Sequence, residues 1–246
     1  MRLESIAFFL MGLIFLGISG CSAIERGLLF YPTHRPYDNG LTPWIKNGEV
    51  IGYSRKVESP SNVWLMLHGN GGQASDRLYA IPSFFSGDSV YILEYPGYGN
   101  RKGTPSKEAF DHAAREAYEL LREAPPRASV CVVAESIGSG PASTLSGLNQ
   151  PPDKFVLIVP FDKLSLVAED HFPAFLVRLL LRDNWDNVKA LSNYKGPVEI
   201  IGAEFDNVIP IRHAKALATA IPGSKLTLIT GGHNDWSFEG RVKIRN

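Results

Sequence analysis

The sequence predicts an α/β protein built on a mostly parallel, twisted sheet with helices on both faces, and three observations carry that reading. Short, β-branched apolar runs recur along the chain, each ending in a Gly-, Pro-, Ser- or Asp-containing turn. Stretches with helical periodicity separate them, the alternation that builds parallel sheets. The polar and glycine-rich turns follow the apolar runs, at the carboxyl ends of the expected strands, where open α/β sheets place their sites.

Residues 22–60 are mixed and punctuated by Pro and Gly, and predict a small antiparallel entry to the sheet. Val63–Leu67 (VWLML) is a strand that ends in His68-Gly69-Asn70-Gly71-Gly72. Val90–Tyr95 (VYILEY) is the next, ending in Pro96-Gly97-Tyr98-Gly99. Thr104-Pro105 combines an N-cap residue with a proline at the first helical position, and starts a helix running to about Glu123. Ser129–Ala134 (SVCVVA) is a buried strand leading to Ser136, followed by a helix from about Ile137 to Leu148. Phe155–Val159, Val198–Ile201 and Lys225–Thr230 complete the strands. Between them, His171–Arg182 places Phe172, Phe175, Leu176, Leu179 and Leu180 at helical spacing, with Arg178 and Arg182 opposite. The first reading of that stretch is a helix packed on the core. The second is a short lid whose apolar face meets an acyl chain or a membrane. Cys131 falls inside a strand and is expected to be inert packing.

The 246 residues suit one domain over residues 21–246 behind a leader at 1–20. Lys plus Arg and Asp plus Glu both total 25, so there is no overall basic footprint for nucleic acid. Two cysteines cannot build a disulfide framework, and neither HExxH nor GxxxxGK[ST] occurs. The leader has Arg2 followed by an apolar run, Ile6 to Ile18, which is short for a membrane span. It ends in Ile18-Ser19-Gly20-Cys21, which resembles a bacterial lipobox. The expectation is cleavage before Cys21 and a lipid anchor on that residue. An uncleaved anchor or an ordinary secretory signal are the alternatives. By resemblance to Gram-negative lipoproteins, Ser22 favours the outer membrane, facing the periplasm.

Chemistry concentrates in a few turns. Ala134-Glu135-Ser136-Ile137-Gly138-Ser139-Gly140 lies between a strand and a helical pattern, the setting a nucleophile elbow requires. Alone, the pentapeptide could be a Ser/Gly-rich helix start. The His68–Gly72 loop can offer a backbone N–H to an oxyanion beside that of Ile137, with Asn70 the chosen donor and the register open by one residue. The same loop could be a plain glycine turn. A serine nucleophile needs a base and the base needs an orienting acid. His233, in Gly231-Gly232-His233-Asn234-Asp235, follows the last strand, and Asp206 follows the one before it. The order Ser136, Asp206, His233 is one of the known chain orders for such a triad. His112 and His213 read as helix-surface residues, His68 belongs to the oxyanion loop, and His34 and His171 lie off the expected site. Asp162, after the strand at 155–159, is the rival acid, and Glu204 a local competitor.

These motifs together resemble the serine α/β-hydrolase superfamily over nearly all of residues 28–240, in particular its small-lid BEM46-like branch, which includes the depalmitoylase group. The matching stretches are 65–72, 91–106, 134–140, 159–164, 202–210 and 231–235. The resemblance implies an α/β-hydrolase fold with a minimal lid, and Ser136, Asp206 and His233 as the triad. It also implies hydrolysis of acyl esters or thioesters of small or lipid-like substrates, with no cofactor and no metal. Glu94 stands where that branch has Asp, Ala134 where it has Gly, and only 13 residues follow His233. A non-catalytic binding or scaffold module on the same fold, or a serine peptidase, are the competing functions.

Overall fold

Period-two alternation decides how the strands sit. In the computed structural model, which describes residues 26–27, 29–36, 40–124 and 128–246, successive side chains of each central strand enter opposite cores. The leader and Cys21 lie outside the described residues. The strands are β1 (Thr42–Lys46), β2 (Glu49–Arg55), β3 (Asn62–Leu67), β4 (Ser89–Leu93), β5 (Ser129–Glu135), β6 (Phe155–Ile158), β7 (Val198–Ala203) and β8 (Lys225–Ile229). They form one sheet in the order β8-β7-β6-β5-β3-β4-β2-β1. From β8 to β4 every pairing is parallel, and β2 joins β4 and β1 antiparallel. Leu65, Val132 and Leu157 pack into one core, and Trp64, Val133 and Val156 into the other.

The antiparallel entry expected within 22–60 is the β1–β2 hairpin. Its turn is Asn47-Gly48, both at positive φ (49° and 80°), the backbone a tight hairpin demands and that Asn-Gly tolerates best. One face of the sheet is covered by α1 (Lys107–Glu123), α2 (Ser139–Thr144), α3 (Leu164–His171), α5 (Asn187–Leu191) and α6 (Arg212–Ala220), while α4 (Ala174–Leu180) adds no residue to that core. The other is covered by 3₁₀ helices at Ala74–Ser83 and Asp235–Gly240. Pro82 lies inside the first and cannot donate to an α-helical ladder. The short chain after His233 closes this face, burying Trp236, Val242 and Ile244, with Ile244 N–H donating to Ser83 O at 2.9 Å.

Three expected elements differ. The long helix starts two residues late, at Lys107, because Ser106 supplies the cap: its hydroxyl accepts from Ala109 N–H at 3.1 Å. Pro105 packs on the Gly97 turn instead. The helix after Ser136 is α-helical only over Ser139–Thr144, with 3₁₀ turns on either side. The 171–182 stretch is not one helix packed on the core. Pro173 forces Phe172 into extended backbone (φ −136°, ψ 152°), so α3 stops at His171. In α4 only Val177 is buried, while Phe175 and Leu179 are each 69% exposed.

Gly138 shows how tightly the Ser136 turn is pressed on the sheet, since a Cβ there would lie 2.4 Å from Leu67 O and 2.8 Å from His68 O. Gly147 has nothing within 4 Å. Gly138→Ala should therefore lower the Tm by about 3–10 °C, the effect of roughly 1–3 kcal/mol of overpacking in a chain this size. Gly147→Ala should leave the Tm unchanged or slightly raised. Paired thermal melts check this, and equal Tm values for the two variants would contradict the close approach.

Candidate active site

Parallel strands bring the polar turns to one edge. Ser136 follows β5 directly and sits at φ +54°, a left-handed conformation that a non-glycine residue adopts only under constraint. The constraint comes from beneath. Ser136 O accepts from the Ser139 hydroxyl at 2.7 Å, and Ser139 Oγ accepts from Asn187 Nδ2 at 3.1 Å. Asn187 Nδ2 also donates to Phe161 O at 2.8 Å, tying the turn to the loop after β6. Ser136 is 7% exposed, at the floor of a cleft of about 600 Å³ lined by Asn70, Tyr79, Val208, His233 and Phe238, among others.

The structure brings Ser136, His233 and Asp206 together. His233 Nε2 lies 3.0 Å from Ser136 Oγ, and Nδ1 lies 2.7 Å from Asp206 Oδ2. Asp206 Oδ1 accepts from Val208 and Ile209 N–H at 2.9 and 2.8 Å, so the carboxylate is aimed by its own loop. With Nδ1–H donating to Asp206, Nε2 carries the lone pair and can accept the serine proton. Glu204 points away and accepts from Thr230 Oγ1 at 2.9 Å.

Asp162, the rival acid, is engaged elsewhere. Its Oδ1 lies 2.8 Å from His213 Nδ1, while His213 Nε2 lies 2.7 Å from Asp170 Oδ2. His213 is thus not a helix-surface residue. It is 3% exposed, because α6 turns it inward between the loop after β6 and the end of α3. His68 is fully buried beneath the glycine loop, its Nδ1 2.7 Å from Gly69 O. Cys131 is buried, and burial pushes its thiol up to about 12, consistent with inert packing.

The two expected oxyanion donors sit close to the serine in different ways. Ile137 follows it in the 3₁₀ turn, and Asn70 lines the same cleft. The Asn70 side chain is spent on structure: Oδ1 accepts from Tyr98 OH at 3.0 Å and from Tyr31 N–H at 3.3 Å.

A larger feature was not read from the sequence. Glu135, one residue before Ser136, is buried and gathers donors from three segments. Its Oε2 accepts from Gly69 N–H at 3.2 Å, its Oε1 from Trp236 Nε1 at 3.0 Å, and Tyr79 OH reaches both oxygens at 3.2–3.3 Å. Burial works to raise its pKa, but the Arg77 guanidinium and the Trp236 and Gly69 donors hold it below the usual carboxylate value. Arg77 itself donates to Tyr79 OH at 3.2 Å and to Gly71 O. Because Gly69 N–H is committed to Glu135, the loop donor at the neighbouring register position is already used.

No family model matches the chain. An uncharacterised protein of Mycobacterium tuberculosis is 32% identical over 187 residues, covering 73% of this chain and 66% of its own length. The zebrafish (Danio rerio) lysophosphatidylserine lipase ABHD12 is 27% identical over 194 residues, covering 70% of this chain. The chain spans about half the length of that lipase (50%) and just under two thirds of the mycobacterial protein (66%). Among solved structures, Est1E from Butyrivibrio proteoclasticus with ferulic acid bound superposes with a TM-score of 0.62 at 13% identity, covering 74% of this chain and 86% of that one. The architecture is the α/β-hydrolase fold.

The Asp162–His213 pair predicts a pH-dependent contribution to stability. Burial raises the Asp162 pKa, but the hydrogen bonds from His213 and Lys163 N–H outweigh it and hold the group below its ordinary value. A depressed carboxyl pKa stabilises the fold above the ordinary value of about 4, and that stabilisation is lost as pH falls through the folded value. Asp162→Asn should lower the Tm at pH 7, by the effect of roughly 3 kcal/mol for breaking a buried pair. The gap to the unsubstituted protein should close below about pH 4. A gap of constant size from pH 7 to pH 3 would mean that the Asp162 charge contributes nothing.

Proposed function

We propose that this chain is a serine hydrolase of the α/β-hydrolase superfamily that cleaves acyl esters or thioesters through an acyl-enzyme. The observation that carries the reading is the continuous hydrogen-bonded chain Ser136–His233–Asp206 at the floor of an open cleft. His233 takes the proton from Ser136 Oγ as that oxygen attacks the acyl carbonyl. Asp206 holds the imidazole tautomer and stabilises the imidazolium that forms. The N–H groups of Ile137 and Asn70 receive the oxyanion, and the commitment of Gly69 N–H to Glu135 favours Asn70 in that loop. His233 returns its proton to the leaving alcohol or thiol, then activates the water that releases the acyl group.

The lipase name of a relative supports ester bonds as the target. The exposed apolar residues beside the cleft, Val208 and Phe238, favour lipid-like acyl substrates over peptides. The chain is further proposed to be tethered through lipid on Cys21 in the bacterial envelope, on the lipobox-like Ile18-Ser19-Gly20-Cys21 alone.

A fluorophosphonate probe tests the chemistry. It should label the unsubstituted protein, and Ser136→Ala should abolish labelling while remaining folded. Turnover of a short ester by Asp206→Asn should fall by about 10⁴-fold, the scale seen where a triad acid becomes its amide. Asp162→Asn should retain far more of its turnover. Equal labelling of Ser136→Ala, or a larger loss at Asp162, would overturn the assignment. In the same sample a peptide map should begin at an acylated Cys21, and an unmodified peptide spanning Gly20 and Cys21 would rule out the anchor.

A further inference from the structure

The apolar side chains that α4 leaves unburied are part of a longer strip. Phe175 and Leu179, four residues apart on α4, are both 69% exposed, and Phe172 at the preceding corner is 52% exposed. Phe205 and Val208, on the loop that carries Asp206, are 70% and 47% exposed. His171 Nε2 lies 2.9 Å from Val208 O and joins that loop to the end of α3. Val208 then lines the Ser136 cleft, so exposed apolar surface runs from α4 to the mouth of the site. Single exposed apolar residues are ordinary, whereas a continuous strip at a cleft marks a surface that meets something apolar.

Two further observations select the partner. Leu29 enters against α4, where with Phe172, Leu176 and Leu180 it lines an apolar pocket of about 310 Å³. Upstream of Leu29 the sequence holds the apolar run Ile6–Ile18, and Cys21 lies eight residues before Leu29. Eight residues span at most about 28 Å, so whatever the leader is anchored to stays near this face. The second observation is charge. Arg178 faces Glu169 at 4.0 Å and Arg212 pairs with Asp170, so these two cations beside the strip are matched by acids.

We propose that this strip docks the protein on a lipid bilayer, with Phe175 and Leu179 in the headgroup–acyl boundary and the Ser136 cleft opening onto the lipid. Apolar burial drives the insertion, and the matched charges make anionic lipid unnecessary, so neutral phosphatidylcholine suffices. What the cleft does once docked rests on the hydrolase reading, whereas the docking does not.

The test uses the full chain on phosphatidylcholine vesicles. A fluorophore is attached at Leu179→Cys and, as a control in the exposed loop before β7, at the opposite ends of the strands from Ser136, at Lys195→Cys, with the unsubstituted protein as labelling blank. Brominated lipid should quench the probe at 179 and aqueous iodide should not, with the reverse at 195. Iodide quenching at 179 would overturn the proposal. Shielding from both quenchers would also overturn it, by placing the leader or a second copy of the chain on the strip. The double variant Phe175→Asp/Leu179→Asp should lose about ten-fold or more of its turnover of a vesicle-borne ester. Its turnover of a water-soluble short ester should be unchanged, and an equal loss on both substrates would contradict docking. If the unsubstituted protein cleaves neither ester, the hydrolase reading falls while the quenching result still decides the docking.

Discussion

The buried carboxylate of Glu135 is the tie on which the arrangement of this site depends. It closes strand β5 and immediately precedes the left-handed turn at Ser136. Through Gly69 N–H it fixes the loop after β3, through Trp236 Nε1 the segment after His233, and through Tyr79 the 3₁₀ helix between them. A buried charge is tolerated only when its lone pairs are filled and a counter-charge is near. Three donors, one of them the Tyr79 hydroxyl shared between both oxygens, and Arg77 meet that condition. Hydrogen bonds to a charged group are each worth about 1.5–3 kcal/mol, so the loops carrying the base and a candidate oxyanion donor share one anchor with the serine.

The strain at Ser136 fits this picture. A non-glycine residue at positive φ costs on the order of 1–3 kcal/mol and persists only where its surroundings over-determine it. Here the donors to the Glu135 carboxylate hold the residue before it, the Ser139–Asn187 bonds hold its carbonyl, and Gly138 lets the turn press directly on Leu67 O. His233 and Asp206 arrive on loops after β8 and β7, strands in parallel register with one another, so their spacing is set by the sheet. A serine proton, an imidazole and a carboxylate are thereby lined up with little freedom left to lose on reaction, which is what general-base chemistry asks of a site.

Much of this was legible in the chain. Strands end in recognisable turns, and parallel strands bring those turns to one edge, so Ser136, Asp206 and His233 could be named together before their geometry was known. What stayed hidden depends on contacts far apart in sequence. Glu135 is visible inside the Ser136 motif, but its partners lie 66 and 101 residues away. His213 looks like a helix-surface residue until α6 turns it toward Asp162, 51 residues earlier. The exposure of α4 is hidden for another reason: apolar spacing says which side chains share a face, not whether that face turns inward. Pro173 was in plain view, and its effect on Phe172 breaks the helix and leaves Phe175 and Leu179 outside. Asn47-Gly48 was a readable hairpin signal within a segment whose entry to the sheet was correctly expected.

Amide hydrogen exchange on Glu135→Leu tests the tie most directly, because it reads the loops themselves and needs no substrate. Leucine has a similar volume and no acceptor, so neither Gly69 N–H nor Trp236 Nε1 keeps its partner and the anchor is removed from both segments at once. Exchange should rise by about ten-fold or more in the segments 68–72 and 231–238 together, as expected for losing charged hydrogen bonds, with α1 unchanged. A rise in only one of the two segments, or in neither, would contradict a shared anchor at Glu135.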